Sequence, residues 1–408
     1  MKILLINHYA GGPDLGMEHR PWFMAREWIR AGHQVNILAA GFAHTRTHQP
    51  GIRKIFSEDD RQGVPYGWIK APAYKGNGVM RLINIFTFIT RLGFRAKRLA
   101  HLYQPDVVIA SSTYPLDIWP AHRIARHAGA KLVYEVHDLW PLSPMELGGY
   151  SARHPFIALL QRAENFAYQH ADLVPSLLPH TLEHMVRHGM KPDKFVYIPN
   201  GIPSDEWDTG HPLPAEHQQI IEQARAAGQM IVGYTGAHGI ANALTPLLEA
   251  AALIRELPVT FLLVGSGPEK ENLRKRAREL GLTNINFTGN VQKKALPALL
   301  DRMDVLYVGF QKQSLYRFGV SPNKLFDYMM AGKPVIQAIR AGNDPVAEAG
   351  CGLSIEPDDP RAIAGAIEQM FATDAETRKK FGEAGKAYVL AHHDYRILAE
   401  KFITALGR

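Results

Sequence analysis

One cysteine in 408 residues, Cys351, excludes an internal disulfide, so the chain is read as a protein of a reducing compartment and Cys351 as a small buried apolar residue. No apolar run approaches the ~18 residues of a membrane span. The first run, ILLI at 3–6, stops at Asn7-His8, too short for a signal-peptide core, and reads as a strand. The expected location is cytoplasmic. No Asp-x-Asp occurs, and the acid runs at 58–60 and 357–360 look like loop features. Paired carboxylates for a divalent ion are therefore missing, and neither metal nor cofactor is expected. His180, His184 and His188 have a spacing that can align imidazoles on one helix face, but no general-base carboxylate signature accompanies them, so the metal reading is set aside.

Acidic residues are absent from 61–105, where eight Lys and Arg occur. Residues 1–205 carry 23 basic and 16 acidic side chains, whereas 206–408 carry 23 of each, so the net charge of +7 lies in the first half. That half is expected to meet an acidic partner surface. Nucleic-acid binding has only the pI of about 9.3 in its favour, since no RRM, KH or helix-turn-helix pattern is present.

What is present is alternation. KILLINHY, QVNILAA, PDVVIAS, AKLVYEVHD, ADLVPS and KFVYIPNG read as strands, interleaved with helical stretches such as HRPWFMAREWIRAG. After a Pro/Gly/Asp-rich linker the theme repeats in QMIVGYTG, VTFLLVGSG, INFTG, DVLYVGF and PVIQAI. Continuous apolar strands alternating with helices imply α/β architecture with parallel sheets covered on both faces. Two doubly wound, Rossmann-like domains facing a central cleft are expected, 1–205 and 206–391, with the terminal helix 392–408 packing back on the first.

The stretch GVSPNKLFDYMMAGKPVI (319–336) has Ser321 as a candidate N-cap, Pro322 at the first helical position and Gly332 as a stop. Lys324 then falls in the first turn, where the helix dipole is already positive. A cation there fits a bound anion. GYTGAHG (233–239) and GSGPE (265–269) each follow a strand with glycines that let backbone approach a ligand. Gly236, Gly239, Gly265, Gly267, Ser321, Pro322, Asn323, Lys324 and Leu325 are thus candidates to hold a phosphate-bearing ligand, with Asp327 placed to accept from ribose hydroxyls. Arg317 is a second candidate cation, or a solvated loop arginine. The rival reading of Lys324 and Asp327 is an i,i+3 surface ion pair. The glycine loops do not complete G-x-G-x-x-G, which argues against a dehydrogenase.

VGSGPEKENLRKRARELGLTNINFTGNV and the helix ending AGKPVI, with GGPDLGMEHR, RAGHQVNILA, VHDLWP, ADLVPS and IPNGI before them, resemble the GT-B glycosyltransferases of the retaining family 4. The resemblance covers nearly the whole chain and is nearest to bacterial polysaccharide transferases acting on N-acetylated amino-deoxysugars. It implies a nucleotide-sugar donor, UDP-linked, a metal-independent reaction and catalytic roles for His137, Lys324 and Asp327. The family's E-x7-E pattern places its second acid at Asp327, while its first falls at Gly319, a departure that moves the sugar contacts elsewhere. His137 of VHDLWP is implied to touch the donor sugar, with the leaving phosphate taking the acceptor proton; a buried structural histidine is the alternative. The glycine loop places Gly12 and Gly16 near the acceptor or diphosphate, with Arg20 meeting acceptor phosphate. UDP-N-acetylhexosamine 2-epimerases share the fold and remain the alternative enzyme class.

Helical spacing in 79–103 puts Leu82, Ile85, Phe86, Ile89, Leu92, Ala96, Leu99 and Tyr103 in the core. Arg91, Arg95 and Arg98 then form an outer stripe flanked by Phe88 and Phe94. Such a face suits the anionic inner-leaflet membrane surface and a lipid-diphosphate-linked acceptor, with peripheral attachment; an ordinary surface helix is the alternative.

Overall fold

The computed structural model describes residues 1–76 and 78–407, and the chain divides into two units, Met1–Asn200 with Tyr395–Arg408, and Gly201–Asp394. The expected boundaries fell at 205/206 and 391/392; the contacts divide at 200/201 and 394/395.

The first unit begins with β1 (Lys2–Ile6), α1 (Arg20–Arg30), β2 (Gln34–Ala40), β3 (Phe56–Arg61), β4 (Val64–Ile69), α2 (Val79–Tyr103) and β5 (Val107–Ala110). It continues through α3 (Ile118–Ala128), β6 (Lys131–Tyr134), α4 (Leu142–Gly148), α5 (Pro155–His170), β7 (Val174–Ser176), α6 (Leu182–Arg187) and β8 (Phe195–Tyr197). Its sheet has the order β3-β4-β2-β1-β5-β6, parallel except for β3 against β4. Apolar runs such as VVIA in β5 are buried at every position, as strands covered on both faces must be.

The second unit runs α7 (Ala215–Ala226), β9 (Met230–Thr235), α8 (Leu244–Leu253), β10 (Val259–Val264), α9 (Lys270–Glu279), β11 (Ile285–Thr288), α10 (Leu296–Asp301) and β12 (Val305–Gly309). Then come α11 (Asn323–Met330), β13 (Val335–Ala338), α12 (Pro345–Ala349), β14 (Gly352–Ile355), α13 (Pro360–Ala372) and α14 (Ala375–His392). Its sheet, β11-β10-β9-β12-β13-β14, is wholly parallel. Counted from β9, that is the doubly wound order 3-2-1-4-5-6, which reverses between β9 and β12.

The last helix, α15 (Tyr395–Leu406), belongs to the first unit and lies on α1. Tyr395 stacks on Phe23 with ring centroids 4.9 Å apart, Phe402 meets Trp28 edge-on at 5.0 Å, and the Trp28 indole N–H donates to Ala399 O at 3.2 Å.

Helix α2 corrects part of its expected face. Phe88, placed beside the arginine stripe, is completely buried, whereas Phe86, placed in the core, is 40% exposed. Ile85, Phe88, Leu92, Ala96 and Leu99 form the inner row, because successive steps of three and four residues follow a 3.6-residue turn, whereas taking Phe86 shifts the stripe by one position. Phe94 is 83% exposed. The Arg91 guanidinium donates to Lys70 O, and Arg95 reaches Arg91 O at 3.4 Å. Among the described residues no helix is long and apolar enough to cross a membrane.

Candidate active site

The reversal between β9 and β12 places a crevice-forming point at the carboxyl ends of the strands, where open α/β sheets bind ligands. Three stretches gather at the carboxyl ends of these strands. The loops after β9 and β10 pack backbone against backbone: a Cβ on Gly265 would lie 1.9 Å from Gly236 O, and one on Gly267 would lie 2.4 Å from His238 O. Gly265 and Gly267 also have φ of 151° and 159°, so glycine is required at both. Gly239 meets neither constraint, with φ −117° and open space around its Cβ position.

The third stretch is the start of α11. Pro322, not Ser321, occupies the N-cap, and the helix begins at Asn323. The fixed φ of proline suits extended as well as helical backbone, and Pro322 takes ψ 123°. The helix consequently starts with no side-chain cap. Leu325 lies wholly in the core, so only its backbone can serve a ligand. Arg317 is exposed and donates to Ser314 O at 2.7 Å.

Lys324 turns away from Asp327; no ion pair joins them among the described residues, which overturns the surface-pair reading. Its ammonium donates to Asn242 Oδ1 at 2.5 Å and Tyr234 Oη at 2.9 Å, and sits 4.6 Å from the Tyr234 ring centroid. The absent side chain at Gly236 admits it, since a Cβ there would lie 3.0 Å from Nζ. Burial without a carboxylate partner lowers the Lys324 pKa to about 7. Burial raises Asp327 to about 6, the charge of Lys293 opposing. His238, between the two glycine loops, is fully buried with neither ring nitrogen hydrogen-bonded. Burial, then the charges of Lys270, Lys324 and Arg274, lowers its pKa to about 4. The cluster is thus rich in positive potential and poor in anions. Tyr234, Asn242 and His238 escaped the sequence reading, although all three stand within or beside GYTGAHG.

In the first unit the switch point lies between β1 and β5. Glu135, at the end of the β6 run, is buried and ties three groups together. Arg20 donates to Glu135 Oε1 from Nη2 at 2.9 Å and from Nε at 3.2 Å; Ser111 Oγ donates to Oε2 at 2.6 Å; His137 Nε2 lies 3.2 Å from Oε2. Ser111 Oγ is also 3.0 Å from His137 Nε2, and Glu18 Oε2 lies 4.0 Å from His137 Nδ1. Burial disfavours the charged imidazole, but the hydrogen bond and charge of Glu135, with Glu18, prevail and raise the His137 pKa. Burial would raise Glu135, yet Arg20 and His137 hold its carboxyl well below the usual range. Burial raises Glu18.

Arg20 is a correction. Expected to offer itself to an acceptor phosphate, it is buried against Glu135 and donates further to Pro199 O and Ile198 O at 3.1 Å for the latter. An arginine so enclosed needs its counter-ion, and Glu135 supplies it. Gly12 and Gly16 form a bridge within the loop, and a second bridge links Gly16 to Arg46. Buried Arg46 fastens this loop by donating to Ala10 O at 2.8 Å, Ala40 O at 2.7 Å and His8 O at 3.2 Å.

Residues 16–201 match the family described as "Glycosyl transferase 4-like domain", and 229–373 match "Glycosyl transferases group 1". The chain is 24% identical over 330 residues to "Probable glycosyltransferase WbjE" of Pseudomonas aeruginosa, covering 80% of this chain and 78% of that protein. It is 23% identical over 355 residues to "Putative colanic acid biosynthesis glycosyl transferase WcaI" of Escherichia coli K12, covering 84% and 86%. In fold it resembles Anabaena Alr3699/HepE, solved with UDP and glucose, with TM-score 0.68, 18% identity and coverage of 100% and 99%.

Proposed function

The chain belongs to the family 4 glycosyltransferases of the GT-B fold, and we propose that it moves a sugar from a UDP-linked donor to a lipid-linked or glycan acceptor in bacterial surface polysaccharide synthesis, with retention and without metal. One observation carries the reading: Lys324 stands at an uncapped helix start, bonded only to neutral groups, beside two glycine loops. A half-buried cation so placed gains most from an anion, and a diphosphate supplies one.

In this reading Lys324 and the first amides of α11 hold the leaving diphosphate, with Asp327 on the ribose. The bond from the anomeric carbon to the phosphate oxygen breaks, the acceptor oxygen bonds that carbon on the same face, and the acceptor proton passes to the leaving phosphate. Preorganised donors stabilise the developing charge. His137, fixed by Glu135 and Ser111, hydrogen-bonds the transferred sugar. An N-acetylated amino-deoxysugar is the proposed donor sugar, after the family resemblance of the chain as a whole.

The exposed row Val79, Met80, Ile83, Phe86 and Phe94 on α2, with exposed Arg98 and the half-buried Arg91 and Arg95, supports a peripheral hold on an anionic leaflet, the proposed source of the acceptor. Incubating the chain and chelator with labelled UDP-sugars and a bacterial lipid extract tests the function. Sugar should appear in the lipid phase with retained anomeric configuration. Inverted product, or sugar-nucleotide interconversion without acceptor, would overturn it, the latter in favour of a 2-epimerase.

A further inference from the structure

Helices α5 and α6 carry a cluster remote in sequence from the groups assigned above. Glu164 on α5 is buried, its side chain 1% exposed, and no Lys or Arg pairs with it among the described residues. Its Oε1 accepts from Tyr168 Oη at 3.0 Å and lies 3.4 Å from His184 Nε2. Its Oε2 accepts from Gln161 Nε2 at 2.7 Å. His188, one turn beyond His184, brings its ring within 4.5 Å of the His184 ring. Ligand atoms of Glu164, His184 and His188 all lie within 4.8 Å of one another.

With His188 Nδ1 unprotonated, the hydrogen-bond count does not close. Gln161 Nε2 also lies 2.7 Å from Asn165 Oδ1 and 3.0 Å from His188 Nδ1, while His188 Nδ1 lies 3.2 Å from Asn165 Oδ1. If His188 Nδ1 is an acceptor, three acceptors share two amide hydrogens. If it carries a proton, that proton goes to Asn165 Oδ1 and the network closes. With Nδ1 unprotonated, as a metal ligand must be, lone pairs exceed donors around a buried carboxylate, which is what a cation relieves.

We propose that Glu164, His184 and His188 form a site for a zinc-class divalent transition-metal ion, one carboxylate and two imidazoles leaving a fourth position for water or Asn165 Oδ1. Histidines at i and i+4, His184 on α6 and His188 capping its C-terminus, with an acid from α5 give the three-ligand set of an open zinc site. His180, the third histidine of the sequence run, is no part of it. The ion would clamp the six-residue α6 to α5, and the Gln161 amide would turn out of its way.

The test uses the full chain, stripped with chelator and then titrated with Co²⁺ and Zn²⁺. Tetrahedral Co²⁺ absorption should appear and saturate at one equivalent, and Zn²⁺ should raise the unfolding midpoint by several degrees. His184→Gln with His188→Gln should weaken binding at least tenfold and abolish both signals; His180→Gln should change neither, a needed control among 19 histidines. Glu164→Gln, which keeps the shape of the Tyr168 contact, decides the matter if the double variant does not fold. No Co²⁺ spectrum in the wild type, or an unchanged one in Glu164→Gln, overturns the proposal.

Discussion

If Lys324 holds a diphosphate, nucleotide affinity should fall steeply as pH rises above neutrality. In the free protein the ammonium titrates at about 7 because burial disfavours its charge. A bound diphosphate favours the charged form and returns the pKa toward the ordinary lysine value of about 10.4. Between those limits affinity follows the protonated fraction of the free protein, roughly a half at pH 7, a tenth at pH 8 and a hundredth at pH 9. The loss from pH 7 to 9 is therefore about 50-fold, or about 2 kcal/mol. Staying above pH 7 avoids the second phosphate ionisation near about 6. Calorimetric titration of UDP in buffers of different ionisation heat should show uptake of about half a proton at pH 7, rising toward one at pH 8. Lys324→Met should bind weakly with no slope across this range. A flat wild-type profile, or the same slope in Lys324→Met, would refute the reasoning.

Asp327→Asn should weaken nucleoside diphosphate binding more than pyrophosphate binding while stabilising the fold. A carboxyl raised from about 3.8 to about 6 makes native stability fall as pH rises through that window, so the gain, on the order of 1–3 kcal/mol, should be seen by thermal melts at pH 7 and vanish near pH 4. Arg20→Ala strands a buried carboxylate and should cost about 3–5 kcal/mol in denaturant unfolding. Because the folded pKa of Glu135 is depressed, that pair contributes fully above the ordinary glutamate range and less as pH falls through it; a pH-independent loss in Arg20→Ala would contradict this. His137→Ala should lower turnover more than UDP affinity, and unchanged turnover would retire its role. Replacing Arg91, Arg95 and Arg98 together should release the protein from anionic vesicles, each cation contributing about 1 kcal/mol.

Much of this was legible in the sequence because its carriers are local. VTFLLV and VVIA announce strands buried on both faces, and the glycine turns after them announce close backbone approach. Lys324 was legible as an oddity of one helix start. Its partners were not, since Tyr234 and Asn242 stand 90 and 82 residues away. Glu135 hid for the same reason: an acid ending an apolar strand looks incidental until Arg20, 115 residues off, is found against it. The arginine that sequence logic offered to a phosphate was already committed to that carboxylate. Phe88 was misplaced because aromatic residues two apart on a helix lie on nearly opposite faces, and choosing Phe86 for the core sent Phe88 outward. His184 and His188 were visible by spacing, but Glu164 on another helix was not.

The most direct test is calorimetric titration of UDP, GDP, ADP and free pyrophosphate, with chelator present, into wild type and Lys324→Ala. Selective UDP binding without metal is expected in the wild type, and its loss in the variant. Absence of nucleotide binding in the folded wild type, or equal binding by the variant, would contradict a donor diphosphate held at the start of α11.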